Sequence, residues 1–295
     1  MTAHSQRETI FLEEAQVLSH EAYPGEQFLL RIRAPACAAA ARPGTFVHLR
    51  CDPQLPMRRP ISILRVDARE GWVDLLYKAV GEGTRLLSRR QPGEHLSTLG
   101  PIGRPFEVHR ERPRALLIGG GVGMPPMIFL AERLRQQAGQ APWAKPLVIL
   151  GSEVPFPFQA RPSQHLVPGL PSGVIAAMPL LDDWGIPSRL ASLQGYQGCF
   201  DGYVTDLARH WLAALDEAAR GQVEVFACGP HPMLAAVARL ARDFDLPCQV
   251  SLEEYMACAV GGCAGCVVQV ETPAGPAMKR VCVDGPVFDA RQVFP

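Results

Sequence analysis

What the chain lacks narrows its chemistry first. It has no net charge, since 29 Lys and Arg balance 29 Asp and Glu. Affinity built on phosphate contacts needs a basic surplus, which argues against a general nucleic-acid binder. No secretion signal is expected, since Met1–Ile10 is polar and carries no apolar core. It also lacks a membrane-length apolar run. The longest uncharged stretch, Ala115–Ala131, holds four glycines and two prolines and falls short of the ~20 residues of a span. A soluble, cytoplasmic chain is expected. Gly and Pro, 27 and 28 of 295 residues, stay below the ~25–30% that marks low complexity. No internal repeat is visible. The eight histidines are dispersed, with no metal spacing such as His-Glu-x-x-His, and no carboxylate constellation argues for acid–base catalysis. What remains is an ordinary globular chain, 47% hydrophobic and 20% charged. At roughly 150 residues per domain its length suggests about two domains.

Cysteine is the exception to this even composition. There are nine, and without a secretory signal they are expected to be reduced, so that a cluster of them suggests metal. Cys37, Cys51, Cys199, Cys228 and Cys248 are scattered. Cys258, Cys263, Cys266 and Cys282 crowd the last 40 residues. Their order, Cys-x4-Cys-x2-Cys and then a fourth after 15 more residues, is the plant-type [2Fe-2S] spacing. A loop of small residues (Ala259, Gly261, Gly262, Ala264, Gly265) can wrap such a cluster closely and leave N–H groups free to point at sulfur. A zinc knuckle is the alternative, but zinc sites usually show two paired motifs, whereas three cysteines here share one loop. Buried, unliganded thiols are the third reading.

Along the chain, the first hundred residues read as β. Gln27–Arg33 places Phe28, Leu30 and Ile32 on one face, the period of a strand. Phe46–Arg50, Ile61–Val66 and Trp72–Val80 are further strands, separated by turns at Pro43-Gly44, Asp52-Pro53 and Pro92-Gly93. This spacing suggests an antiparallel barrel. His109–Arg114 reads as a solvated link. Strands at Arg114–Ile118, Leu147–Leu150 and Val223–Ala227, with Val174–Ala177 as another candidate, then alternate with helices. One helix carries Met127, Leu130, Ala131 and Leu134 inward. The other, His231–Arg242, carries Met233, Val237 and Leu240 inward. That alternation predicts a parallel α/β sheet. Gln249–Leu252 reads as its last strand.

Three short motifs carry chemistry. Gly119, Gly120, Gly121, Val122 and Gly123 join a strand to a helix, where a pyrophosphate can approach backbone N–H groups. This is not the G-x-G-x-x-G fingerprint, and a tight turn is the plain alternative. Cys228, Gly229 and Pro230 place a small thiol at a second strand's carboxyl end, where such sheets bind ligands. A buried Cys before a helix-starting Pro is the alternative there. Arg59, Pro60, Ile61 and Ser62 begin a strand in which Arg suits a diphosphate and Ser suits a flavin edge. Gly81-Glu82-Gly83-Thr84 opens a helix downstream. Singly, these are a surface Arg and a helix cap.

An Arg-x-x-Ser strand, a Gly-Thr helix start, a glycine-rich loop and a Cys-Gly-Pro turn, in that order, resemble the ferredoxin–NADP reductase superfamily. Ser251-Leu252-Glu253-Glu254, Met256-Ala257-Cys258, the cysteine loop and Val281–Phe288 make the tail similar to electron-transfer subunits of two-subunit, NAD-linked dihydroorotate dehydrogenases. The resemblance runs from about Glu8 to Phe294. It implies FAD, a [2Fe-2S] cluster and NAD, and a partner subunit containing FMN, with electrons passing from dihydroorotate through FMN, cluster and FAD to NAD. It implies that Arg59, Pro60, Ile61, Ser62, Tyr77, Lys78, Gly83 and Thr84 hold FAD. Gly119–Gly123 and Cys228–Pro230 would line the NAD site, and Cys258, Cys263, Cys266 and Cys282 would ligate the cluster. The expected architecture is a β-barrel FAD domain at 1–110, an α/β nucleotide domain at 111–249 and a cluster-binding tail at 250–295. Tyr255 and Ala259 depart from the family pattern, which has a basic residue and Gly there. Related subunits serve sulfide dehydrogenases, NADPH–ferredoxin oxidoreductases and hydrogenases, some with Asp in place of the first cysteine. A non-catalytic, zinc-stabilised interaction module is the rival from another class. Gly151-Ser152-Glu153 carries no adjacent Arg for a 2′-phosphate, which leans to NAD over NADP, although Arg161 is near in sequence. Leu181–Gly202 is read as a possible insertion.

Overall fold

A computed structural model describes residues 9–137 and 146–295. Most of the segment Met1–Ile10, read above for a signal peptide, lies outside the described residues. The chain divides into two compact units. One comprises residues 1–105 and 252–287, the other 106–251 and 288–295.

The first unit is a closed barrel of β1 (Phe11–Tyr23), β2 (Gln27–Arg33), β3 (Phe46–Leu49), β4 (Arg59–Asp67), β5 (Trp72–Lys78) and β6 (His95–Ile102), in the order β1-β2-β5-β4-β3-β6. All neighbours are antiparallel, and β1 closes on β6 from Phe11↔Gly100 to Gln16↔His95. Alternation drives the closure. Leu30, Ile32, Val47, Leu49, Ile63 and Leu75 are fully buried, each stabilising the barrel by roughly 1.5–3 kcal/mol. Two short helices sit between strands: α1 (Pro35–Ala40) and α2 (Glu82–Leu87). Glu13 of β1 anchors α1, accepting the Ala36 and Cys37 N–H groups at 3.0 and 2.9 Å.

The second unit is a six-stranded sheet. Its strands are β7 (Arg114–Gly120), β8 (Leu147–Gly151), β11 (Ser188–Ala191), β12 (Val223–Cys228), β13 (Cys248–Ser251) and β16 (Val287–Asp289), in the order β11-β8-β7-β12-β13-β16. The pairs among β11, β8, β7, β12 and β13 are parallel. These strands are almost wholly buried, as parallel strands covered on both faces must be. A two-residue pair, β9 (Arg161–Pro162) and β10 (Ala176–Ala177), lies apart from that sheet. Helices α3 (Met124–Gln137), α4 (Pro179–Asp183), α5 (Val204–Ala214), α6 (Glu217–Arg220), α7 (His231–Asp243) and α8 (Ala290–Val293) complete the unit.

Several readings change. Val174–Ala177 is no strand of the main sheet, since only Ala176 and Ala177 pair, with β9. The supposed insertion at Leu181–Gly202 contains β11, an integral sheet strand. Met233 is half-buried, and Leu234 takes its inward place. The link at His109–Arg114 is fastened rather than merely solvated. Glu224 accepts from His109 Nδ1 at 2.9 Å, and the Val223 carbonyl accepts from Arg112 at 3.4 Å.

Within the first unit the tail forms a loop over the cysteines, followed by a hairpin of β14 (Val267–Thr272) and β15 (Gly275–Arg280). It packs on the barrel. The Met256 carbonyl accepts from His48 Nε2 at 3.3 Å, and the Gly285 carbonyl accepts from the Arg104 N–H at 2.5 Å.

Candidate cofactor sites

The flavin-type motif lies on β4, between β3 and β5. Arg59 packs against the first turn of α2, so closely that a Cβ on Gly83 would lie 2.8 Å from Arg59 Nε. A side chain at this position would push the guanidinium aside. Arg59 donates to the carbonyls of Met57 and Arg58 at 3.0 and 3.1 Å. No carboxylate pairs with it among the described residues, which leaves its charge for an anion. Thr84 Oγ1 and Gly81 exchange two 3.1 Å bonds that close the turn of α2. A cation held by carbonyls beside a glycine cradle fits a dinucleotide diphosphate. Tyr77 is buried, its hydroxyl bonded to His20 Nε2 at 2.9 Å and its ring stacked 5.5 Å from Phe28. Burial pushes its phenol well above the usual range. Its side chain is spent inside the barrel, whereas Lys78 ends β5 half exposed.

The four tail cysteines lie within reach of one another. Cys258 interacts with the Cys263 thiol, Cys282 with the Cys266 thiol, and Cys258 also acts on Cys282. Backbone amides point at sulfur: Gly265 N–H reaches Cys263 Sγ at 3.4 Å and Cys282 N–H reaches Cys266 Sγ at 3.5 Å. Burial alone would raise the Cys258 thiol, but the N–H groups of Val260, Cys263 and Gly262, with the Cys263 thiol, bring it down to about 7. Cys282 goes the other way, to about 12, through burial and its Cys266 neighbour. Among the described residues no three His, Cys, Asp or Glu side chains gather about one point tightly enough for a single ion. Four neighbouring thiols with amides turned to sulfur fit a two-iron cluster, which takes four thiolates in all. Ala259 and Ala264 hold left-handed φ values of 55° and 53°, which explains why glycine suits the first of these positions. Arg280 braces the loop, donating to the Gly261 carbonyl at 3.0 Å, while Asp284 accepts the Arg280 N–H at 2.8 Å.

In the second unit, β7 and β12 are neighbours with Gly119 opposite Cys228. The strand order reverses between them, with β8 on the far side of β7. Such a switch point is where open α/β sheets bind nucleotides. The glycine turn and the Cys-Gly-Pro turn meet here. A Cβ on Gly123 would overlap the Cys228 carbonyl, and one on Gly119 would lie 3.0 Å from Met124 Cα. The backbone is therefore bare at the crevice, as a pyrophosphate requires. Cys228 is fully buried.

Arg161 is committed elsewhere. It pairs with Asp183, and with Asp182 at 3.4 Å. Glu153 stands exposed two residues after β8, in a turn in which Ser152 Oγ donates to the Val154 carbonyl at 2.7 Å. His48 escaped the sequence reading, because a lone histidine in a strand carries no pattern. It is 1% exposed.

Barrel, switch-point sheet and cysteine tail together define a flavin- and nicotinamide-type reductase fold carrying an iron–sulfur segment. Residues 253–294 match the iron–sulfur cluster binding domain of dihydroorotate dehydrogenase B. Over 95% of its length the chain is 32% identical to 97% of the dihydroorotate dehydrogenase B (NAD(+)) electron transfer subunit of Desulforamulus reducens. Over 85% it is 36% identical to 86% of the corresponding subunit of Geobacillus kaustophilus. A solved NADH-dependent reduced ferredoxin–NADP oxidoreductase is similar with a TM-score of 0.74 and 26% identity, over 95% of this chain and 90% of that one. A ferredoxin reductase of carbazole 1,9a-dioxygenase shares the fold, with a TM-score of 0.61 and 21% identity over 81% and 67%. The chain belongs to the family of NAD-linked dihydroorotate dehydrogenase B electron transfer subunits.

Proposed function

We propose that this chain relays electrons from an FMN-containing catalytic subunit, which oxidises dihydroorotate in pyrimidine biosynthesis, through a [2Fe-2S] cluster and FAD to NAD. The observation that carries this reading is the set of four neighbouring cysteine thiols on the same unit as the flavin-type strand. When bound, FAD exchanges a hydride with the nicotinamide and the cluster passes single electrons. The protein orients and insulates. Arg59 and the Gly83 cradle hold the FAD diphosphate, and Pro60, Ile61 and Ser62 line the ring's strand. Tyr77 and Lys78 supply backbone at the end of β5, and Thr84 fixes the turn. Gly119–Gly123 and Cys228–Pro230 leave bare backbone for NAD. Cys258, Cys263, Cys266 and Cys282 hold the cluster. Functionally, 1–110 serves FAD, 111–249 serves NAD and 250–295 serves the cluster.

Arg161, tied to two carboxylates, is not free for a 2′-phosphate, which supports NAD over NADP. No helix among the described residues is long and apolar enough to cross a membrane, and a cytoplasmic hetero-oligomer with the catalytic subunit is the assembly proposed. The likeness to a reduced ferredoxin–NADP oxidoreductase favours a second reading, in which ferredoxin replaces the dihydroorotate-oxidising partner.

Anaerobic visible and EPR spectra before and after NADH test the reading. A flavin band that bleaches and a reduced [2Fe-2S] signal are expected. Zinc without flavin overturns it. Supplying the catalytic subunit with dihydroorotate, or reduced ferredoxin, then separates the two donors by which one reduces the flavin.

A further inference from the structure

His48 is a buried titratable group that the relay leaves unused. On β3 it faces Pro60 of β4 across the ladder, and Phe46 faces Ser62. Paired residues of an antiparallel ladder project to the same side. His48 and Phe46 therefore share a face with two flavin-strand residues. The tail covers that face. Met256, two residues before Cys258, accepts from His48 Nε2 at 3.3 Å. A Cβ on Gly103, itself in contact with Pro286, would lie 3.3 Å from Phe46 Cε1. The His48 carbonyl is in turn held by Arg58 Nη1 at 3.1 Å.

We propose that His48 is a positioning residue for flavin-to-cluster electron transfer, its Nε2–H fixing the cluster segment on the strand beside the flavin strand. This rests on the relay proposed above. The bond needs a proton on Nε2, which in the neutral ring selects the Nε2–H tautomer. Burial, the largest effect, with the nearby Arg58 and Arg59 charges, outweighs the Met256 bond and a backbone contact with Arg58 and lowers the imidazole to about 4, so the ring is neutral near pH 7. Outer partners of metal ligands typically set affinity or activity by about 10–100-fold. His48 acts one step further out, so the low end is expected.

The test uses the full chain reconstituted with FAD and cluster, as His48→Phe and His48→Gln. Phe keeps the ring's bulk without a donor, and Gln restores an N–H near the Nε2 position. Anaerobic stopped-flow with NADH follows flavin bleaching and cluster reduction separately, and a redox titration gives the cluster potential. In H48F, flavin bleaching is expected at the wild-type rate, with cluster reduction about tenfold slower and the potential shifted. H48Q is expected to recover most of that loss. Loss of the cluster from H48F but not from H48Q also supports the bond. Wild-type cluster kinetics and potential in H48F overturn the proposal, as does equal impairment of both variants, which would indicate packing alone. If the wild type itself shows no NADH-driven cluster reduction, the relay is at fault rather than His48.

Discussion

Gly83 and Ala259 show how single atoms decide function at the residue scale. Gly83 sits in the first turn of α2 without a left-handed φ, and Arg59 fills the space a Cβ would take. Gly83→Ala therefore separates stability from binding. Alanine favours the helix by up to about 1 kcal/mol, so the melting temperature of the apoprotein should hold or rise. The displaced guanidinium loses a charge-assisted contact, of order 1.5–3 kcal/mol, so FAD affinity should fall roughly tenfold or more in a flavin titration. Equal FAD affinity would remove Arg59 from the diphosphate site. Ala259 is left-handed yet buried. Relieving about 1–2 kcal/mol of strain with Gly is offset by the lost methyl burial, about 0.8 kcal/mol, and by unfolded-state entropy. That balance explains how Ala is tolerated at a left-handed position where glycine is expected. Ala259→Val has no such balance, because β-branched residues are outliers at positive φ. It should lose the cluster, seen as lost iron per chain with FAD retained. The cysteines were legible because their spacing alone carries chemistry. His48 was not, because its meaning comes from a carbonyl 208 residues away.

At the scale of elements, legibility followed periodicity. β2 alternates cleanly and its bounds were read as they stand. β1 was missed because Glu13 and Glu14 interrupt its apolar period, Glu13 being held to cap α1. β6 was missed because Gly100-Pro101 reads as a turn. β11 carries Ser188 and Arg189, both buried, and no composition rule predicts a polar pair inside a parallel sheet. Arg189 is satisfied by three carbonyls, those of Val174, Ser188 and His165. The link before β7 gives an element-scale prediction. Its His109 is bonded to buried Glu224, which raises the imidazole above its usual value chiefly through that bond. A raised folded-state pKa means that the stabilisation is complete below the unfolded value, about 6.5, and fades as pH rises through the folded value. His109 is half exposed, so the effect should stay below about 1 kcal/mol. His109→Ala should lower the melting temperature more at pH 6 than at pH 9. An equal drop at both would reduce the pair to a neutral hydrogen bond.

At the scale of the whole molecule, the four cysteines proposed as ligands differ in how they meet solvent. Cys266 and Cys282 are buried, Cys258 is intermediate and Cys263 is exposed. Tyr255 and Val260, 94% and 50% exposed, flank that open edge, and large exposed side chains at a redox site suit a partner surface. Cys263 thus opens to solvent while Cys266 and Cys282 are sealed inside. Electrons crossing between chains should use the exposed edge, while exchange with NAD belongs to FAD and the nucleotide crevice. Cys263→Ser separates the two halves of the route. With the catalytic subunit present, dihydroorotate-driven NAD reduction should fall by about 100-fold or more, the upper range for damage at a metal site. NADH should still bleach the flavin at the wild-type rate, because Arg59, Gly83 and the Gly119–Gly123 turn are untouched. Normal coupling in this variant would show that electrons reach FAD without the cluster, and the cysteine tail would then be structural.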